Sequence, residues 1–293
     1  MGGRPIDGAV YIDPVGVAAL LALAGPVELV EAGVTVDATN VVEFLEVDQY
    51  RAFDDQNVRK DFLTTIATDT FAHLLSADLP SPRELGNIFG PAARGGHLQF
   101  ATIDEAPFDF LESIFLLGAF PEPDGGDFLS VVHANGSANK LDSFLHRSVD
   151  YRVRLDDDGA ATSTVDVMLS ADVPSGLPGY VTGTPEDGKP VGTNRVHLSI
   201  ISSQILQRVL IDGVEVPVEP QEELGYQRYL VFVDVPPDGS ALVSFELTGT
   251  ITPGPDKEVG DYRLTLANQA RVQPDAVHVL VENANDDHVI GET

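Results

Sequence analysis

The chain has 293 residues, 43% hydrophobic and 22% charged, which is ordinary globular usage, but its formal net charge is −29. That charge excludes nucleic acid as a bulk partner, because phosphate binding needs a basic surface to release counterions, and an anionic bilayer would repel it. With no Cys in the chain, thiolate catalysis, Cys-ligated zinc, iron–sulfur clusters and disulfides are all excluded.

The length exceeds what one core usually organises, so two domains are expected. Residues 8–12, GAVYI, read as a strand. Asp13 then caps a helix whose first residue is Pro14, where the missing N–H costs nothing, and Gly25 and Pro26 stop it. Its apolar run, residues 15–24, is half the length of a membrane span and reads as a buried helix. The N-terminus lacks the charged and apolar regions of a signal peptide. VTVDATNVVEFLEV repeats the theme: a strand, a cap at Asp37 or Thr39, then a helix with Val41, Phe44 and Leu45 on one face. Residues 59–77 give the clearest amphipathic pattern, with Phe62, Leu63, Ile66, Ala67, Thr70, Phe71 and Leu74 at helical spacing. HLQFATID is a strand, APFDFLESIFLLGA a helix closed by Gly118, and DFLSVVHAN a strand again. Alternating strands and helices predict an α/β domain over residues 1–148.

From Val149 the hydrophobic period is 2. DYRVRLDDDGAATSTVDVMLS reads as a hairpin about an Asp-Gly turn, and RVLIDGVEV as a second turning at Asp212-Gly213. YLVFVDVPPDGSALVSFEL reads as a third, around residues 236–239, and YRLTLANQARVQPDAVHVLVE as a last pair. About eight short strands at this spacing predict an all-β, immunoglobulin-like sandwich over residues 149–293. The fold class expected is therefore α+β in two domains.

Several chemical signals are weak. Ser137 and Lys140 match S-x-x-K, but neither S-D-N nor K-T-G, which that serine chemistry also needs, occurs in the chain. Residues 90–97 imitate a P-loop's glycines without its Lys and Ser/Thr, which leaves a helix terminus and turn. The seven His residues show no metal spacing. ENANDDHVIGE alternates oxygen ligands without the Gly and terminal Glu of a calcium loop. No cofactor or metal is expected. Asn135-Gly136-Ser137 is a glycosylation sequon, relevant only in a secreting eukaryote. Positive charge concentrates at Arg51, Arg59 and Lys60, where an N-terminal helical turn beside Arg could cradle a phosphate or other anion. The polar knot of residues 135–142 falls where the last α/β strand stops. Asn135, Asn139, Lys140 and Asp142 are expected to form an inter-domain joint, with Asn135 and Asn139 bonding turn backbone, Gly136 taking a positive φ, Asp142 near Lys140 or Arg147, and a short helix beginning at Ser137.

The segments IDGAVYIDPVGVAALLALAGPVEL, VTVDATNVVEFL, YRAFDDQNVRKDFL and GDFLSVVHANGSANKLDSFLHRSVDYRV resemble the bacterial family called domain of unknown function 4012, typical of actinobacterial envelope proteins. The likeness runs through about residues 5–155, and the Asn-Lys-x-Asp element is its most specific part. It implies an extracytoplasmic protein at the cell surface, anchored through a segment absent from this chain, and no established activity. A weaker likeness is to the LytR-CpsA-Psr phosphotransferases, which move glycopolymers from polyprenyl-pyrophosphate carriers; it implies that Arg51, Arg59 and Lys60 face a pyrophosphate. Where that family has a paired-Arg strand, this chain has residues 46–51, EVDQYR. The expected function is a non-catalytic binding or structural module of the envelope, with a cell-wall polymer or lipid-linked glycan as partner. A divergent or partial phosphotransferase core is the alternative.

Overall fold

The computed structural model describes residues 6–156, 158–184, 188–251 and 262–283. They form a mixed α/β structure that divides into two compact units, one of residues 1–119 with Ala270–Val272, the other of residues 120–269 with 273–293.

In the first unit, β1 (Gly8–Ile12) leads to α1 (Pro14–Ala24). Asp13 caps this helix by accepting from the Gly16 backbone N–H at 3.0 Å, and Gly25, at φ 86°, ends it. β2 (Val27–Leu29) and β3 (Val34–Val36) form a small antiparallel pair. The next helical stretch is broken into α2 (Val41–Glu43), a π-helical run Phe44–Asp48 and α3 (Gln49–Ala52). Then follow α4 (Gln56–Ser76), α5 (Pro82–Arg94), β4 (Leu98–Thr102) and α6 (Phe108–Ser113). The β1 strand pairs with β4 antiparallel. Leu21, Val27, Val36, Val41, Phe44, Phe62 and Ile66 make the unit's core. Sequence alternation thus yields helices with two small antiparallel pairs among the described residues.

The buried stripe of α4 is narrower than its hydrophobic pattern suggests. Arg59, Phe62, Ile66 and Thr70 are buried, whereas Leu63 is 46% and Phe71 63% exposed. The 3-4-4 spacing places those four residues in one row, and the Leu63–Ala67–Phe71 row lies about 100° around the axis.

The second unit carries β5 (Asp127–Asn135), a 3₁₀ turn Asp142–Phe144, β6 (Leu145–Leu155), β7 (Ala160–Ala171), α7 (Gly179–Thr182), β8 (Asn194–Ser202), β9 (Ile205–Ile211), β10 (Val214–Val216), β11 (Gln221–Glu223), β12 (Tyr226–Val235), β13 (Ser240–Thr250), β14 (Leu264–Asn268) and β15 (Ala276–Asn283). One sheet has the order β10-β9-β13-β7-β6-β15, the other β11-β12-β8-β5-β14. Val165, Val167 and Leu169 of the first and Val196, Leu198 and Ile200 of the second are buried in one cluster. Each such side chain contributes ~1.5–3 kcal/mol by leaving water.

Three sequence expectations are corrected here. β5 does not close an α/β domain; it pairs with β8 antiparallel and β14 parallel inside the five-stranded sheet. Residues 236–239 do not close a hairpin, because β12 pairs with β8 while β13 pairs with β7 and β9, so this turn carries the chain between sheets. The last two strands do not pair with each other: β14 joins β5 and β15 joins β6, both parallel. Period-2 alternation identifies strands but not their partners, and a Pro-Asp-Gly turn serves a hairpin or a sheet crossing alike. The β6–β7 and β9–β10 hairpins form as expected.

Candidate functional site

Residues 135–142 link β5 to β6, one strand from each sheet of the second unit, and fall within that unit. Asn135 Nδ2 donates to Asn139 Oδ1 at 2.7 Å, and Asn135 Oδ1 accepts from the Ser137 N–H at 2.8 Å. The Leu141 N–H reaches Asn139 Oδ1 at 3.3 Å. The two asparagines therefore bond turn backbone in the manner expected. Lys140 is anchored by its backbone, whose N–H donates to the Val181 carbonyl at 2.8 Å, while its side chain is exposed. Asp142 accepts from Asn194 Nδ2 at 3.1 Å rather than from Lys140 or Arg147. No helix starts at Ser137; only the turn Asp142–Phe144 is helical, so the S-x-x-K spacing never becomes one turn of a helix. Gly136 has no positive φ. Its small size seats the His197 ring, since a Cβ there would lie 2.4 Å from His197 Nε2 and displace it.

This knot forms one wall of a cleft of about 170 Å³. Ser137 and Asn139 line it from the β5–β6 link, Thr182 from the end of α7, Thr193 and Lys189 from the approach to β8, and Arg195 and Asp234 from β8 and β12. Arg195 Nε donates to Asp234 Oδ1 at 3.0 Å, and Lys189 Nζ pairs with the other carboxylate oxygen. Burial would raise the Asp234 pKa, but hydrogen bonds and charge from Lys189 and Arg195 outweigh it and hold the carboxyl below its ordinary value. The lining is thus a fixed carboxylate with mixed amide, hydroxyl and cationic donors.

Two buried polar clusters in this unit hold the sheets together. Asp127, 2% exposed, accepts from Tyr151 Oη at 2.7 Å, Tyr262 Oη at 2.6 Å, Ser203 Oγ at 3.1 Å and Gln204 Nε2 at 3.1 Å. Burial first, and the Asp127 charge second, push both phenols upward. Arg147, whose side chain is fully buried, donates from Nε to Asp275 Oδ1 at 3.0 Å and from Nη1 to His133 Nδ1 at 3.2 Å. A guanidinium has no acceptor, so His133 Nδ1 accepts there. In the first unit, His97 Nδ1 lies 2.7 Å from Asp13 Oδ2 and locks the helix cap to the start of β4. Their positions, 84 residues apart, gave no sequence signal.

The three predicted anion contacts do not converge. Arg51 faces Asp48 at 4.0 Å. Arg59 is 7% exposed, donates from Nη1 to the Asp54 carbonyl at 2.9 Å and to that of Phe53, and stands 5.2 Å from the Tyr50 ring centre. Lys60 points to solvent. The calcium-like stretch lies outside the described residues beyond Asn283, and among the described residues no group of three or more His, Asp or Glu is placed to hold a metal.

A family model described as "Protein of unknown function (DUF4012)" matches residues 1–50, which supports that family resemblance. No curated protein matches the sequence. Among solved structures, a Legionella pneumophila protein described as nutrient binding aligns at 8% identity and TM-score 0.28, over 43% of this chain and 44% of its own. An M1 zinc metallopeptidase from Deinococcus radiodurans aligns at 9% and 0.27, over 47% and 32%. Native yeast LTA4 hydrolase aligns at 12% and 0.21, over 40% and 17%. The chain spans less than half of each, and likenesses this faint carry no argument about function. No helix among the described residues is long and apolar enough to cross a membrane.

Proposed function

We propose that the chain is the extracytoplasmic part of a bacterial, actinobacterial-type envelope protein, and that it acts as a non-catalytic binding module. In this reading the second unit is an immunoglobulin-like sandwich that displays the cleft, and the protein is held at the cell surface through a segment outside this chain. The observation that carries it is the cleft lining: a carboxylate fixed by Lys189 and Arg195, set among Asn139 and threonine hydroxyls, suits recognition of a polar polymer. A phosphotransferase acting on a polyprenyl pyrophosphate would need Arg51, Arg59 and Lys60 to face one groove, and the buried carbonyl contacts of Arg59 speak against it.

The test is co-sedimentation with isolated bacterial envelopes. The wild-type chain should pellet, and a Lys189→Ala, Asp234→Ala double variant with an unchanged melting temperature should stay in the supernatant. Equal pelleting of the two, or no pelleting of the wild type, removes this reading.

A further inference from the structure

The β12 strand alternates cleanly. Tyr229, Val231, Val233 and Val235 are buried, so Leu230, Phe232 and Asp234 point to the outer face of the five-stranded sheet. At one end of that face the aromatics are covered: Phe128 and Tyr226 stack at 4.0 Å and are 1% and 5% exposed. At the other end Phe232 is 62% exposed and belongs to none of the hydrophobic clusters. Its ring is braced edge-on by His197, its cross-strand partner, at 4.6 Å and 85°. The next outward pair along the same two strands is Asp234 with Arg195, the floor of the cleft. Residues i and i+2 on a strand are about 7 Å apart, so the exposed ring adjoins the polar lining.

We infer that this cleft takes a saccharide, with Phe232 as the platform on which a sugar ring lies; the inference rests on the binding-module reading above. A pyranose has an apolar C–H face and a rim of hydroxyls. The aromatic face takes the first, as rings take other apolar faces; the second, whose hydroxyls donate and accept, meets Asp234 as an acceptor, Arg195 as a donor, and the Asn139 amide and threonine hydroxyls, which offer both. The volume agrees with that division. A cavity of about 170 Å³ is smaller than the ~300–1,000 Å³ that engulf a drug-sized ligand. It admits one edge of a ligand whose remainder lies outside, over Phe232. His197 is seated by Gly136, so the N-G-S turn and the platform form one assembly.

The chain has no Trp, so Phe232→Trp introduces a single indole as a reporter. Chitotetraose, maltotetraose and mannotetraose are titrated to about 10 mM, enough to saturate a site with a Kd of ~1 mM. At least one should shift the indole emission saturably. Its affinity for the wild type, measured calorimetrically, should fall by about tenfold or more in Phe232→Ala, with the melting temperature unchanged. Silence from all three sugars, or equal binding by Phe232→Ala, overturns the saccharide assignment. If envelopes still sediment the wild type in that event, the binding-module reading stands without it; if they do not, both fall.

Discussion

Arg59 lies near the start of the helix α4, in its buried row, so its guanidinium has to find acceptors close at hand. The carbonyls of Phe53 and Asp54, in the loop just before the helix, supply them. Arg59→Ala should therefore lower stability by about 1–3 kcal/mol, while Arg51→Ala and Lys60→Ala stay within about 0.5 kcal/mol. Urea denaturation separates the three, and a neutral Arg59→Ala would show that its burial is incidental. Gly136 makes the opposite case. A Cβ there meets the far end of the His197 side chain, which can turn aside, so Gly136→Ala should cost no more than about 1 kcal/mol. Displacement of the ring should still weaken saccharide binding. Unaltered affinity would mean that His197 is not part of the platform. The basic cluster was plain in the sequence, and so were the turn-forming asparagines. The direction of the Arg59 side chain was not, since it depends on where the preceding loop puts its carbonyls. Phe232 could have been found: alternation in YLVFVDV places it outward, where a large aromatic has no packing role.

Secondary structure shows where local and distant information part. Caps, hairpin turns and period-2 runs are local, and α1, the β6–β7 hairpin and the β9–β10 hairpin follow from them. The parallel edge strands β14 and β15 do not, because their partners β5 and β6 lie more than a hundred residues earlier. Two buried polar clusters fix those distant pairings. Arg147 of β6 holds Asp275, just before β15, and His133 of β5. Arg147→Ala removes the buried guanidinium that Asp275 and His133 bond and should cost about 3–5 kcal/mol, with partial recovery in the Arg147→Met, Asp275→Leu double variant. Additive losses would contradict a coupled pair. At Asp127, two phenols are held above the ordinary tyrosine value near 10. In the unfolded chain tyrosines release their protons near pH 10, whereas the folded chain keeps them. The contribution is thus complete below pH 10 and lost as pH rises above it, at up to about 1.4 kcal/mol per pH unit for each tyrosine. Denaturation series from about pH 9 to 12 should show this decline, shallower in Tyr151→Phe. An identical slope in the variant would place the alkaline loss elsewhere.

The whole chain was legible as a helix-rich beginning followed by strands, because the change of hydrophobic period is strong. The division between its two compact units was harder to place. DFLSVVHAN looks like the closing strand of whatever precedes it, and only its pairing with β8 assigns it to the second unit. The cleft was legible in part. Ser137 and Asn139 stood out as a polar knot, but Thr182, Lys189, Arg195 and Asp234 reach it from three other segments. The central claim is that this cleft, on the second unit, is where the protein meets an envelope polymer. Hydrogen–deuterium exchange on the intact chain, with and without isolated envelopes, tests it most directly. The account predicts added protection in residues 135–142, 181–184, 189–197 and 230–235, and none in α4 around Arg59 and Lys60. Protection confined to the first unit, with the cleft segments unchanged, would contradict it.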